Sequence, residues 1–418
     1  MTSILSRLYS EFTLPIRDPL WNNIYFSSGF KEIISLEPVQ KLGRIKQLGP
    51  AFHVYPGAVH TRLNHSFGVF HLSRKIMETF LTSRQADFFT DEGVRTFLCA
   101  ALLHDIGHFP FAHSLKELPL RDHEELSAEI ITSSPFADKL KKVLKVDPQS
   151  VAAIIDTNID TGGNSELNFY RKVLSGTLDP DKLDYLNRDA FFCGVPYGTQ
   201  DTDFIIRKLK VSSGSPALDS SAIMAVENLL FSKYLMYKAV YWHKTVRIAT
   251  AMIKKAIFMG LEDRVITSGD LYNIDDDEFF RILSKRDYPP FSLIDRVIKR
   301  DFYKSVMELS YNPDNSFHRK LTDLHFRNGL SEKIASYLSK GAGFSVPPAS
   351  VIIDIPEEIS FEVDMKISAG NREKLFSDSK SVFTPSVVEG FTGSLRMIRL
   401  FIPGELTELT EDYEDFFG

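Results

Sequence analysis

Eight of the eleven histidines (His53, His60, His65, His71, His104, His108, His113 and His123) fall within 71 consecutive residues, where an even spread would place about two. At their centre stands Leu103-His104-Asp105-Ile106-Gly107-His108, an adjacent histidine and aspartate closing an apolar run. Neighbours on a helix differ by about 100° in direction, so an imidazole and a carboxylate there can approach one ion from two sides. A buried carboxylate also needs a partner, and a metal supplies one. The dipeptide alone is equally what a surface pair or a local hydrogen bond would leave. Its context is richer: Arg62-Leu63-Asn64-His65-Ser66 lies upstream, and Leu178-Asp179-Pro180-Asp181-Lys182-Leu183-Asp184-Tyr185 downstream, with acids spaced to turn one carboxylate inward. A histidine, a His-Asp pair and an aspartate from separate helices form a mixed nitrogen and oxygen set. Such a set suits iron, manganese, nickel or zinc better than calcium or copper(I).

Elements must hold these residues together, and the composition allows them. The 418 residues are 43% hydrophobic and 25% charged, enough for one large core or two ordinary ones, which excludes collagen-like and wholly disordered chains. The formal charge of −6 resides in the last fourteen residues, which hold six acids and no Lys or Arg, so the body is neutral and that tail reads as a solvated end. A neutral body disfavours a dedicated nucleic-acid binder. Cys99 and Cys193 form no CxxC pair. With no apolar run near the roughly 20 residues of a membrane span and no export signal, the expectation is a cytoplasmic protein without a membrane partner.

The periodicity is mainly helical. A lead-in over 1–44 carries a strand at Asn23–Phe26 and an amphipathic stretch at Gly29–Leu36. Helices follow from His60, over about Asp91–His108 until Pro110 breaks the pattern, and at Glu124–Ser133, Phe136–Leu144, Pro148–Ile155 and Glu166–Ser175. They make 45–211 an all-helical, histidine-rich unit. Ser212–Pro216 reads as a boundary before a helical extension over 217–340, opened by one long helix or a bent pair from about Ser221 to Leu261. Beyond it, 341–418 reads as a small mixed α/β region, with strands expected at Val351–Ile355, Ile359–Ile367 and Leu395–Ile402.

Over Ile16–Leu209 the landmarks are nearly continuous: Ile45-Lys46-Gln47-Leu48-Gly49; Tyr55-Pro56-Gly57-Ala58, then His60, Arg62 and His65-Ser66; His104-Asp105-Ile106-Gly107-His108, then Pro110-Phe111 and His113; His123-Glu124; Asp181-Lys182, Asp184-Tyr185 and Arg188-Asp189. In these the chain resembles the HD-domain phosphohydrolases, and among them the deoxynucleoside triphosphate triphosphohydrolase branch. The resemblance implies a helical HD bundle with a helical C-terminal extension and a small β element. It implies His65, His104, Asp105 and Asp181 as metal ligands, a second ion (magnesium) with the substrate phosphates, and hydrolysis to deoxynucleoside and inorganic triphosphate by water attack at the α-phosphorus.

A 5′-alkoxide leaves poorly unless protonated, so a general acid is required: His113 or His123, with Glu124 orienting an imidazole and His108 in a phosphate-contacting or supporting role. By the same resemblance Arg62 and Lys182 hold phosphates, and Gln47, Tyr185 and Asp189 grip the ribose. Leu48 and Tyr241 press where a 2′-hydroxyl would go. Lys233 and Tyr237 stand where vertebrate members offer an arginine and a histidine to the phosphates. Leu36 and Gly43 occupy the places at which those members read an activating guanine, so that trigger is not implied, although a nucleotide effector and a homo-oligomer, dimer or tetramer, are. His53, His60 and His71 receive no role. Two rival readings are an HD phosphohydrolase or phosphodiesterase for another nucleotide phosphoester, and a nucleotide-sensing or nucleic-acid-binding protein with little turnover.

Overall fold

Thr61 starts the helix Arg62–Leu81 with a reciprocal cap: its hydroxyl accepts from the Asn64 amide, and Asn64 Oδ1 accepts from the Thr61 amide at 3.0 Å. The cap fixes the first turn, which carries Arg62 and His65. Thr90 caps Asp91–Leu103, whose last turns, Ala100 to Leu103, are wholly buried. Asp179 caps Pro180–Cys193, with Pro180 preset for the first turn and Gly194 closing the helix in a left-handed conformation at φ 68°. The first and third of these helices pack unusually close at Gly68, where a Cβ would stand 1.8 Å from Asp184 Oδ1.

The computed structural model describes residues 3–359, 361, 365–369, 372–379, 381–409 and 413–417. Its architecture is mainly helical. Helices at His123–Thr132, Phe136–Val143, Pro148–Ile155 and Ser165–Leu174 surround the Asp91–Leu103 helix in one aromatic-rich core, close to the expected bounds. The expected helix to His108 instead ends at Leu103: the chain turns at Asp105–Gly107, where Gly107 comes so near the His123 carbonyl and Ser127 amide that a Cβ would lie 2.4 Å from each. Of the single helix or bent pair expected from Ser221 to Leu261, the structure has the bent pair, Ile223–Met236 and Lys244–Glu262, joined by a π turn at Tyr237–Tyr241. No described helix is long and apolar enough to cross a membrane.

The β structure is more dispersed than a single C-terminal sheet. Leu14–Asp18 and Asn22–Phe26 form a hairpin, as do Leu209–Ser212 and Ser215–Asp219. Ser213 and Gly214 are the two positive-φ residues of that second turn, so the Ser212–Pro216 stretch is a tight hairpin turn. Ser215–Asp219 pairs in parallel with Lys366–Ala369, which pairs with Arg372–Leu375, so the C-terminal region returns to the first half. A second sheet places Met397–Ile402 between Lys304–Ser310 and Ile352–Asp354. Of the strand expected at Ile359–Ile367, only its end is seen as strand, and residues 360 and 362–364 lie outside the described residues. The acidic tail is not a free solvated end either: Leu406, Tyr413 and Phe417 enter a third core with Ile334 and Ile398 while Glu405, Glu408, Glu414 and Asp415 face water. Glu411 and Asp412 lie outside the described residues.

His71 belongs to this scaffold. Its ring stacks on Trp21 at 6.1 Å, its Nδ1 is buried without a partner, and burial, aided by Lys75 and Arg74, pulls its pKa down to about 4. Between pH 6.5 and 4 the unfolded chain therefore binds a proton that the native state refuses. Stability supplied by the neutral ring is complete above about pH 6.5 and falls by an order of 2–3 kcal/mol as pH drops through that window. His71→Phe is expected to flatten that limb in urea unfolding followed at pH 7, 6, 5 and 4, and an unchanged slope would show that His71 is not its source.

Candidate active site

His65 stands between two carboxylates. Its Nδ1 lies 2.8 Å from Asp184 Oδ2 and its Nε2 2.8 Å from Asp181 Oδ1, on a side chain only 2% exposed. Burial opposes a charge there, but the bonds to Asp181 and Asp184 outweigh it and hold the imidazole up at about 10. Asp184 is in turn fixed by Arg188, which donates from Nε at 2.8 Å and Nη2 at 3.0 Å, and by the Trp21 indole. Arg188 also reaches Asp18 at 2.8 Å. This is a buried carboxylate-histidine arrangement in which the outer acid sets the ring's orientation.

His104 and Asp105 complete the cluster just beyond their helix. His104 Nδ1 lies 3.0 Å from the Ala101 carbonyl and donates to it, which leaves the Nε2 lone pair free; that atom is buried and has no hydrogen-bond partner among the described residues. It points toward Asp105 Oδ1 at 3.4 Å and Asp181 Oδ1 at 3.8 Å. Asp105 Oδ2 accepts from Arg62 Nη1 at 2.8 Å, and His108 Nε2 lies 3.1 Å from Oδ1. Burial alone would raise this carboxyl, yet His108, His104 and Arg62 hold it well below the usual range.

Beside the cluster three imidazoles are grouped, two stacked and the third set at an angle to both. His108 and His123 are 3.8 Å apart and nearly parallel, with His113 at 4.7 Å and 5.3 Å from them. Burial, reinforced by the Arg62 guanidinium, pushes all three well below the ordinary histidine range, so they are neutral at pH 7. His123 Nδ1 lies 3.1 Å from Glu124 Oε2. His113, His123 and Glu124 line a cavity of about 610 Å³, whereas His108 is fully enclosed behind them.

The same cavity takes in most of the residues expected to hold substrate: Gln47, Leu48, Arg62, Lys182, Tyr185, Asp189, Tyr237 and Tyr241 all line it. Gln47 Oε1 is buried without a hydrogen-bond partner among the described residues. Asp189 is clamped by His60 Nε2 at 2.7 Å and by the Tyr241 hydroxyl at 2.8 Å. Lys182 Nζ bonds Asp179 at 2.7 Å and the Gly176 carbonyl at 3.0 Å, and burial raises Asp179 to about 7. Lys233 is the departure: it is not among the lining residues, and its buried Nζ sits 5.6 Å from the Phe361 ring.

Comparison with known proteins bears on this site. The chain matches the HD domain family over residues 62–175 and the HD associated region over 200–382. It belongs to the HD-domain family. An uncharacterized protein of Methanocaldococcus jannaschii is 36% identical over 303 residues, covering 71% of this chain and 60% of that one. The deoxynucleoside triphosphate triphosphohydrolase SAMHD1 of Bos taurus is 27% identical over 293 residues, covering 61% and 48%. The chain spans about half to three fifths of the length of the curated relatives it matches. A solved structure of a hypothetical protein from Aquifex aeolicus shares the fold, with a TM-score of 0.72 at 24% identity over 95% of this chain and 98% of that one.

The HD domain thus opens at Arg62, on the capped turn that carries His65. HD domains bind a divalent metal, and the residues here fit one. Ligand atoms of His65, His104 and Asp181 lie within 4.8 Å of one another, Asp105 borders them, and the unpartnered His104 Nε2 is aimed at both acids. Two imidazoles and two carboxylates form a donor set for a divalent transition ion.

Several lining or supporting residues were not apparent from the sequence. His60, given no role, is buried and fixes Asp189, and Asp184 fixes His65. Asp184 had a local signal, since it follows Asp181 by three residues and shares its helix face. Lys46, inside the Ile45–Gly49 landmark but given no role, also lines the cavity, as do Lys116, Arg247, Lys254, Glu357 and Glu358 from segments without a motif.

Proposed function

We propose that this HD domain hydrolyses deoxynucleoside triphosphates to deoxynucleoside and inorganic triphosphate in the 610 Å³ cavity. The observation that carries the reading is the cavity's polarity: the His65, His104, Asp105 and Asp181 donor set lies at one part, and the clamped Asp189 with the unpaired Gln47 amide oxygen at another. Metal ligands and cations suit a polyphosphate, and fixed acceptors suit a sugar hydroxyl. The 27% identity to a deoxynucleoside triphosphate triphosphohydrolase supports the same choice.

A divalent transition metal (iron, manganese, nickel or zinc) on the four ligands supplies a nucleophile by lowering the pKa of water, and magnesium accompanies the phosphates. Arg62, poised against Asp105, and Lys182 hold phosphate oxygens. The negative charge of a bound triphosphate, together with Glu124, raises the proton affinity of His123, and the imidazolium so formed, backed by His108, gives its proton to the departing 5′ oxygen with His113 beside it. Asp189 and Gln47 accept from the sugar. Leu48 and the Tyr241 ring present apolar atoms, so a 2′-hydroxyl buried there without a partner costs about 1–3 kcal/mol, which favours deoxy substrates by roughly 5- to 150-fold.

Purified protein incubated with manganese or magnesium and single or mixed deoxynucleotides, ribonucleotides and cyclic nucleotides tests this, with products resolved by chromatography. Deoxynucleoside plus inorganic triphosphate is expected, with EDTA stopping turnover and added metal restoring it. Monophosphate plus pyrophosphate, equal use of ribonucleotides, or no turnover in any mixture would overturn the reading.

A further inference from the structure

Behind the active-site cavity, past Lys254, lies a second and much smaller cavity of about 30 Å³. The helix Lys244–Glu262 contributes Lys254 and Lys255 to its wall, and the helix Leu324–Ala342 contributes Arg327 and Asn328. All three cations are more than nine-tenths buried, at 7%, 8% and 2% exposure. Their direct ion pairs are few among the described residues. Glu117 takes both Lys254 Nζ and, at 2.6 Å, Arg327 Nη2. Asp354 is committed to Arg247.

Lys255 Nζ finds only the Asn328 amide oxygen, at 2.5 Å, while the Asn328 amide nitrogen turns to Glu332. Nε and Nη1 of Arg327 have no acceptor among the described residues. Among the described residues Glu117 is the one carboxylate in direct ion contact with these three cations, while Glu332 acts on Lys255, and Asp354 and Glu357 on Lys254, only at longer range; a buried charge without a close partner is among the costlier features a fold can carry.

We propose that this cavity binds a small monatomic anion, chloride under physiological conditions, held by Lys255 Nζ and the free N–H groups of Arg327. Size selects the class. A water-sized probe needs about 10–15 Å³, so 30 Å³ holds about two to three of them, which suits one halide or a few waters and is tight for a tetrahedral phosphate group. Charge selects between those two. Water can accept the Arg327 protons but cannot offset the ammonium, whereas an anion does both. Burial already pulls Lys255 down to about 8 and lowers Lys254; a bound anion opposes both shifts. Because Lys254 lines both cavities, the anion would sit one side chain from the active site without being part of it.

Crystals of the full chain soaked in sodium bromide are expected to show an anomalous peak between Lys255 and Arg327. In solution, thermal unfolding in sodium chloride against sodium gluconate at equal ionic strength should show a saturable, halide-specific rise of about 2 °C. Lys255→Met is expected to remove that rise while remaining as stable in gluconate as the parent. Should that variant fail to fold, the bromide peak and the salt comparison on the unaltered protein decide the matter. Absence of the peak, an equal rise in gluconate, or a halide response that survives in Lys255→Met overturns the proposal.

Discussion

Asp105→Asn is expected to lower kcat/KM for deoxynucleoside triphosphate hydrolysis by about 10³-fold or more, and to strip the purified protein of most of its divalent metal. The substitution keeps volume and removes one charge at the point where the site converges. Oδ2 of Asp105 anchors Arg62, and Oδ1 faces His104 and His108. Losing that charge takes one anionic donor from the metal set. It also leaves the buried Arg62 guanidinium without its carboxylate and relaxes the residue proposed to hold phosphate. Product chromatography together with elemental analysis of the purified variant reads both effects. Turnover within tenfold of the parent at unchanged metal content would mean that Asp105 is a structural acid and that the ligand assignment fails.

A second large effect is expected from Asp184, which lies one residue outside the donor set. Asp184→Asn should cost about 3–5 kcal/mol of stability and weaken metal binding about 10- to 100-fold. Asp184 is wholly buried between Arg188 and His65, so its neutralisation strands a guanidinium that retains only Asp18. It also turns one of the two oxygens that receive His65 Nδ1, the Trp21 indole and Arg188 into an N–H donor, which weakens the charged bond holding Nδ1 protonated and Nε2 turned to the other ligands. The pH dependence has a definite sign. Despite burial, Arg188 and His65 hold the Asp184 carboxyl below its usual range. Its contribution is therefore complete above the unfolded value near pH 4 and is lost as pH falls below that. Urea unfolding at pH 7 and pH 3.5 should show the variant far weaker than the parent at the first and closer to it at the second. Metal titration of the refolded variant reads the other half. A loss under 1 kcal/mol with undiminished metal affinity would reduce Asp184 to an ordinary packed acid.

Much of the site was legible because its parts are local. His65 lies on the first turn of a capped helix, His104-Asp105 at the end of another, and Asp181 just after a Pro-started third, and each has a cap or turn residue beside it. Periodicity likewise placed the helices from Asp91 to Leu174 within a few residues. It could not show that the first of these stops before Asp105. That ending depends on Gly107 meeting the His123 segment, a contact between residues sixteen apart. Lys233 was placed with the substrate by its position on a helix, yet helix rotation turns it beneath Phe361.

Residue types and spacing by themselves pointed to a mixed histidine and aspartate cluster, the helical class and the region of the chemistry, and the family resemblance selected the four candidate ligands; residues on short turns carry their positioning signals in the same few positions. Tertiary structure alone decided what those groups feel. It put His60 against Asp189 across 129 residues and Trp21 against Asp184 across 163. It brought Arg247 and Glu357 to the cavity wall, made three histidines neutral by burying them together, and tied the Leu209–Asp219 hairpin to the C-terminal region through a sheet pairing Leu218 with Ile367. Burial and long-range pairing depend on which surfaces meet, and no local window of sequence contains both surfaces.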